Sequence, residues 1–228
     1  MNRLKANIML TFALLVTSVS FAQDPIVQAT ILDSVDVQAD KLYNSGISQI
    51  QSKNYKAAIA DFTKSLELRA DFEPGYFNRG VCKSEEGDFS GAILDFDQAI
   101  MREADNPESW YLRGQAKYTL KDTEGAFADF NQTTTLQLNH AQAHYYKGVI
   151  RFEAVDYKGA IENFTKATDV DKTHAYAYND RGSAKRQIGD IDGAILDYKR
   201  ALMIDDKMAF THNNLGSVLR KKGDFKGA

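Results

Sequence analysis

Glycine recurs at Gly46, Gly80, Gly114, Gly148, Gly182 and Gly216, always 34 residues apart. Alanine follows each by 12 residues, at Ala58, Ala92, Ala126, Ala160, Ala194 and Ala228. Four residues further on stand Phe62, Phe96, Phe130, Phe164 and Tyr198. Three columns holding one period without an insertion mark a tandem array. Counted from Ala39 there are five full repeats, at 39–72, 73–106, 107–140, 141–174 and 175–208, and a partial one at 209–228. A repeat this short cannot bury its apolar face alone, so each must close its core on the next.

Within a repeat the apolar spacing is helical. In the fifth, Ala194, Ile195, Tyr198, Ala201 and Leu202 fall at i, i+1, i+4, i+7 and i+8, one face of a helix. Ile188-Gly189-Asp190 interrupts the pattern before it. Glycine suits the end of one helix and aspartate the cap of the next, so each repeat is expected to be helix–turn–helix. The small Gly and Ala columns sit where two backbones come close, and the aromatic column fills the space between that pair and the next repeat.

An aromatic, then Gly, then G-D-x-x-x-A, then F/Y and A, all at period 34, resembles the tetratricopeptide repeat over residues 39–228. The aromatic place holds Tyr76, Trp110, His144, Tyr178 and His212. The resemblance implies an all-α fold, a right-handed α-solenoid superhelix of helix–turn–helix repeats. Departures are systematic. Ala70, Ala104, Leu138, Lys172 and Asp206 stand where the family usually has proline, and Arg79, Arg113, Lys147 and Arg181 where it usually has leucine. The first repeat diverges most, with Ser45 and Gln49 in the otherwise basic places.

Family members line a concave groove with first-helix residues at set distances from the aromatic place. Carried onto this chain, the first groove column is Tyr43, Phe77, Tyr111, Tyr145, Asn179 and Asn213; the next includes Asn78 and Tyr146, together with Asp180 and Asn214. Near the helix ends stand Tyr118, Phe152, Arg186 and Arg220. Such a surface, aromatic in its first four repeats and polar in the last two, suits an extended peptide or a partner helix. Rings give area at small entropic cost, and amides both donate and accept. The same rings could instead pack against their neighbours and stiffen the array. The carboxylate clamp of chaperone adaptors in this family is missing, because Tyr43, Phe77 and Tyr111 occupy the place of its lysine. The expectation is a non-catalytic protein-interaction scaffold without cofactor. The alternatives are a structural subunit of an envelope or secretion assembly working through its edges, and a glycan-binding module.

Chemistry-bearing motifs are few. His140 and His144 have the i, i+4 spacing of a metal pair but no third ligand is evident, and no P-loop or nucleophile–base pattern occurs. The formal charge of −3 argues against nucleic acid as a partner. Cys82 is the one cysteine, and its column otherwise holds Ala116, Ile150, Ala184 and Val218, so it reads as core filler. The arginine column faces a second-helix column of Asp61, Asp95, Asp129, Asn163 and Asp197. Arg79 could pair with Asp95 in its own repeat or Asp61 in the one before, and the sequence leaves both registers open.

The termini are separate matters. Arg3 and Lys5 precede the apolar run IMLTFALLVTSVSFA, and Ser20-Phe21-Ala22 fits the small-x-small rule. Residues 1–22 therefore read as a signal peptide cut between Ala22 and Gln23, with export to the periplasm or beyond. Cleavage takes the formal charge from −3 to −5 and leaves no membrane span. QDPIVQATILDSVDVQ at 23–38 reads as a leader or short strand. The chain stops where the second helix of the sixth repeat should begin. That suggests either a fragment of a longer chain or an open edge at Leu215, Val218 and Leu219 suited to a second copy.

Overall fold

The computed structural model describes residues 25–223 and 227, with side chains from Ser34 onward. The signal-peptide reading of 1–22 and its cleavage site lie outside the described residues. Among those described there are eleven helices and no strand, an all-α fold of the solenoid type. They fall into two compact units that divide after Gly87.

The first unit holds α1 (Pro25–Gln51), α2 (Tyr55–Leu68) and α3 (Glu73–Glu85). The stretch read as a leader or short strand is helical from Pro25 and runs without a break into the first repeat. Proline at a first helical position loses nothing, since that N–H has no partner within the helix. Phe62, at the aromatic column, is fully buried against Ala58 and Cys82, with Tyr43 and Ile47 beside them. Cys82 is filler as expected, and burial with Glu85 and Glu86 near it pushes its thiol up to about 11, which leaves it unreactive.

The second unit holds α4 (Phe89–Arg102), α5 (Pro107–Thr119), α6 (Thr123–Leu136), α7 (Ala141–Glu153), α8 (Tyr157–Val170), α9 (Ala175–Gln187), α10 (Ile191–Ile204) and α11 (Ala209–Lys222). Each helix packs on its successor, and α7, α9 and α11, the first helices of successive repeats, also touch in order. Asp122, Asp156 and Asp190 each accept a hydrogen bond from the backbone N–H three residues on, at Gly125, Gly159 and Gly193. These are N-caps, each contributing about 1 kcal/mol. The residue before the cap is left-handed: Gly189 has φ +87°, but Lys121 and Val155 take the same conformation at +69° and +64° without being glycine.

The polar aromatic column has a structural task. Trp110 Nε1 donates to the Ala104 carbonyl at 2.8 Å, and His144 and His212 make the matching 2.9 Å bonds to Leu138 and Asp206. In the first unit the Tyr76 hydroxyl donates to Ala70 at 3.1 Å. The acceptors are the residues standing where proline is usual, so a ring N–H or O–H holds the turn that a proline otherwise stiffens. This fixes His144. Its Nε2 faces a carbonyl, while His140 uses Nδ1 to accept the Ala143 N–H at 3.1 Å, so both imidazoles serve the backbone.

The open question of arginine register is settled in the second unit. Arg113 grips Asp129 of its own repeat with two bonds, 2.9 and 2.6 Å, and reaches Asp97 of the previous repeat at 2.5 Å. Arg181 grips Asp197 in the same bidentate way and donates to Thr168 of the previous repeat at 2.9 Å. One guanidinium therefore clamps three helices. In the fourth repeat Lys147 and Asn163 replace the pair. Asn163 turns back onto the Gly159 carbonyl, and Lys147 reaches Thr134. Among the described residues Lys147 has no carboxylate partner, and burial together with Lys166 and Arg151 lowers its ammonium to about 8.

Candidate functional site

The first groove column turns inward far more than the sequence suggests. Tyr111 is 8% exposed and Asn179 3%. Tyr145 and Tyr146 are half-buried, and only Asn213 of this set in the second unit is exposed. The cause is a ladder between repeats. A first-column residue meets the second-column residue of the next repeat, 35 positions on. The Tyr145 hydroxyl donates to Asp180 Oδ2 at 2.9 Å, and Asn214 Nδ2 donates to Asn179 Oδ1 at 3.2 Å. Tyr111 and Tyr146 meet ring to ring at 6.3 Å. In the first unit Asn78 Nδ2 donates to the Tyr43 hydroxyl at 3.0 Å, and Phe77, beside it on α3, is half-buried. Tyr118 follows the same offset and donates to Glu153 at 2.6 Å.

Tyr111 and Asn179 are therefore buried, and Tyr43 half-buried, in contacts with neighbouring repeats. Tyr146 is a hub, stacked on Phe130 at 5.2 Å and met edge-on by Tyr145 and Tyr118. Burial, joined by nearby carboxylates or other tyrosines, drives the Tyr111, Tyr118 and Tyr145 hydroxyls far above the ordinary phenol range. They remain neutral hydroxyls at any physiological pH.

A cavity of 380 Å³ opens where the ladder turns polar, bounded by Val149, Phe152 and Glu153 of α7, Asn179, Asp180 and Ser183 of α9, and Asn214 of α11, with Phe164 of α8 also lining it. Phe152, Asn179, Asp180 and Asn214 belong to the groove positions expected from the sequence; Val149, Glu153, Phe164 and Ser183 do not. Phe152 is half-buried and packs edge-on to Tyr157 at 5.3 Å. Arg186, also predicted, lies on α9 one turn past Ser183; it is half-buried, with its Nε shielded and without a hydrogen bond.

Asp180 is the unusual member. It accepts from Tyr145 and from Asn179 Nδ2 at 2.8 Å, yet burial still raises its carboxyl above the usual range. Desolvation here outweighs two hydrogen bonds that favour the anion. Neighbouring Arg181 and Lys185 are both turned to Asp197, at 2.6 and 2.9 Å. The sequence does carry a trace of this site. Asp180 and Glu153 are first-helix acids outside the column that the arginines match.

Models of the tetratricopeptide repeat match residues 41–72, 83–137 and 175–208, between them more than half the chain. No curated protein matches the sequence. Among solved structures, MamA superposes with a TM-score of 0.68 at 21% identity, over 72% of this chain and 96% of its own. YrrB, described as a tetratricopeptide repeat protein with an unusual peptide-binding site, gives 0.68 at 18% identity, over 88% and 98%. PilF of Pseudomonas aeruginosa gives 0.73 at 16% identity, over 86% and 89%. At these identities the likeness is one of fold. Repeat period, helix-pair packing and matched family models together place this chain in the tetratricopeptide repeat family.

Proposed function

We propose that this protein is a non-catalytic interaction module that takes an extended peptide on the first-helix face of its second unit. The observation carrying this reading is the 380 Å³ cavity between α7, α9 and α11, which combines apolar walls with converging polar groups, the usual make-up of a recognition site. YrrB, with its peptide-binding site, offers a precedent on the same fold. The ring–ladder residues then act as the frame, and Phe152, Ser183, Asn213 and Asn214 as the contact surface. Replacing Tyr111 or Tyr145 would test packing more than recognition. The cleaner test is Ser183→Arg, which fills the cavity from a half-buried position. Fluorescein-labelled random 12-residue peptide pools should bind the full chain, seen by anisotropy, and lose binding to the variant. Equal binding by both would refute the reading.

A second reading, assembly through the outer face, draws on Leu196 and Met203. They lie seven residues apart on α10 and are 69% and 76% exposed. Leu196→Arg/Met203→Arg should then abolish self-association in analytical ultracentrifugation; if the parent sediments as a monomer, this reading falls. The proposed open edge at the sixth repeat has less to offer. Val218 and Leu219 are buried against Ala194, Ile195 and Tyr198, and Leu215 packs beside them. We further propose export, on the strength of the N-terminal sequence pattern. Terminal sequencing of protein recovered from expressing cells should begin at Gln23, and a start at Met1 would refute it.

A further inference from the structure

The cavity has a charge character that selects its occupant. Two carboxylates line it, Asp180 from α9 and Glu153 from α7. Every hydrogen bond they accept comes from a neutral group: Tyr145 and Asn179 for Asp180, Tyr118 for Glu153. Neither has a cation within ion-pairing distance among the described residues: of the cations of α9, Arg181 and Lys185 are held by Asp197, and Arg186, one turn past Ser183, pairs with neither acid. Elsewhere in the unit, buried acids at helix–helix contacts are matched, as Asp129 is by Arg113 and Lys117. An acid left desolvated and unmatched beside an opening is costly unless something cationic arrives.

The remaining walls define the shape of that cation. Val149, Phe152 and Phe164 provide apolar surface, and Asn179, Ser183 and Asn214 provide neutral polar atoms. An aliphatic stem with a charged head fits both halves, because lysine and arginine bury their methylenes and keep the head polar. We propose that the cavity receives a lysine or arginine side chain of the bound peptide, its stem along Phe152 and Val149 and its head between Asp180 and Glu153. This rests on the peptide-binding reading above. It assigns the site the opposite charge preference to a carboxylate clamp: Asp180 stands in the second groove column, where a basic or amide residue would be needed to hold an anion.

The test uses the same peptide pools, each with one fixed central residue: arginine, citrulline, lysine, norleucine or glutamate. Citrulline keeps the shape of arginine and removes its charge. The arginine and lysine pools should bind about tenfold or more tighter than citrulline and norleucine, with glutamate weakest. Asp180→Asn should bring the arginine pool down to the citrulline level, with circular dichroism and the melting midpoint confirming the fold. Glu153→Gln, more exposed and bonded only to Tyr118, should cut the same preference and decides the matter if Asp180→Asn fails to fold. Pools that bind the parent with equal affinity overturn the basic-side-chain assignment and leave the peptide-binding reading standing. Pools that all fail to bind overturn the reading itself.

Discussion

Gly148→Ala is the sharpest probe of how the repeats close on one another. A Cβ at Gly148 would lie 2.6 Å from both Cδ1 and Cε1 of Phe164, about 1 Å inside the optimum for carbon atoms. Phe164 cannot easily retreat. It is fully buried among Ala160 and Ala184, with the Tyr145 ring 5.8 Å away. Overpacking of this kind costs about 1–3 kcal/mol. Alanine returns about 1 kcal/mol in helix propensity, so the net loss should be about 0–2 kcal/mol, toward the upper end because the Phe164 ring is enclosed. The geometry also sets an order: Gly114 would meet Phe130 at 2.9 Å and Gly182 would meet Tyr198 at 3.0 Å, so losses should fall from 148 to 114 to 182. Guanidinium denaturation followed at 222 nm measures all three. Phe164→Leu should relieve the clash, giving a coupling of about 1 kcal/mol or more in the double-mutant cycle. If Gly148→Ala equals or exceeds the parent in stability, or if the two changes are additive, propensity rules this column and the close-approach argument is wrong. Because Phe164 also lines the cavity, the displaced ring should weaken peptide binding too.

Val155→Gly should stabilise by about 1 kcal/mol, since a β-branched residue held at φ +64° is relieved; an unchanged melting midpoint would contradict this. Asp197→Ala strands Arg181 and Lys185, whose side chains are only 14% and 21% exposed, and should lose about 2–4 kcal/mol in denaturant titration. Lys147→Met removes a half-buried, unpaired ammonium and, after discounting for solvent screening, should gain about 1 kcal/mol at pH 7. Its sign with pH is fixed: the folded value is about 8 against 10.5, so the unfolded chain binds more protons between them. Parent stability should then rise through that window relative to the variant, and a constant difference from pH 7 to 10.5 would refute it. Cys82 should resist a thiol reagent until the chain unfolds, because its thiol is buried and raised to about 11.

The period made most of the fold legible. Glycine, alanine and aromatic columns gave the helix pairs and their contacts, and aspartate at each turn gave the caps. The left-handed turn residue was harder, because Lys121 and Val155 occupy it where glycine was the signal. The helix over 25–38 was missed because Pro25 starts it and its apolar residues lack a repeat to align with. The Arg–Asp register was open in sequence because both partners recur at 34, and only geometry separates one repeat from the next. For the candidate site, the sequence placed these residues on one first-helix face and did not show how deeply some of them are buried. Tyr111 and Asn179 sit on that face but at the seam between successive first helices, and a one-repeat helical wheel does not contain the neighbour that covers them.

That seam explains why the cavity lies where it does. The 35-residue ladder satisfies ring hydroxyls and amides repeat by repeat, and where two rings meet, as at Tyr111 and Tyr146, it also fills the space between helices. From the fourth repeat on, the partners shorten. Tyr145 meets Asp180 and Asn179 meets Asn214, so hydrogen bonding continues while ring volume is lost. The missing volume is the cavity. A side chain with no ring leaves room, and a carboxylate in place of a phenol leaves charge, so one change of residue type along a single column creates both the space and its acidic lining. Asp180→Tyr, which restores the ring, should therefore close the cavity and abolish peptide binding while leaving the helical fold intact.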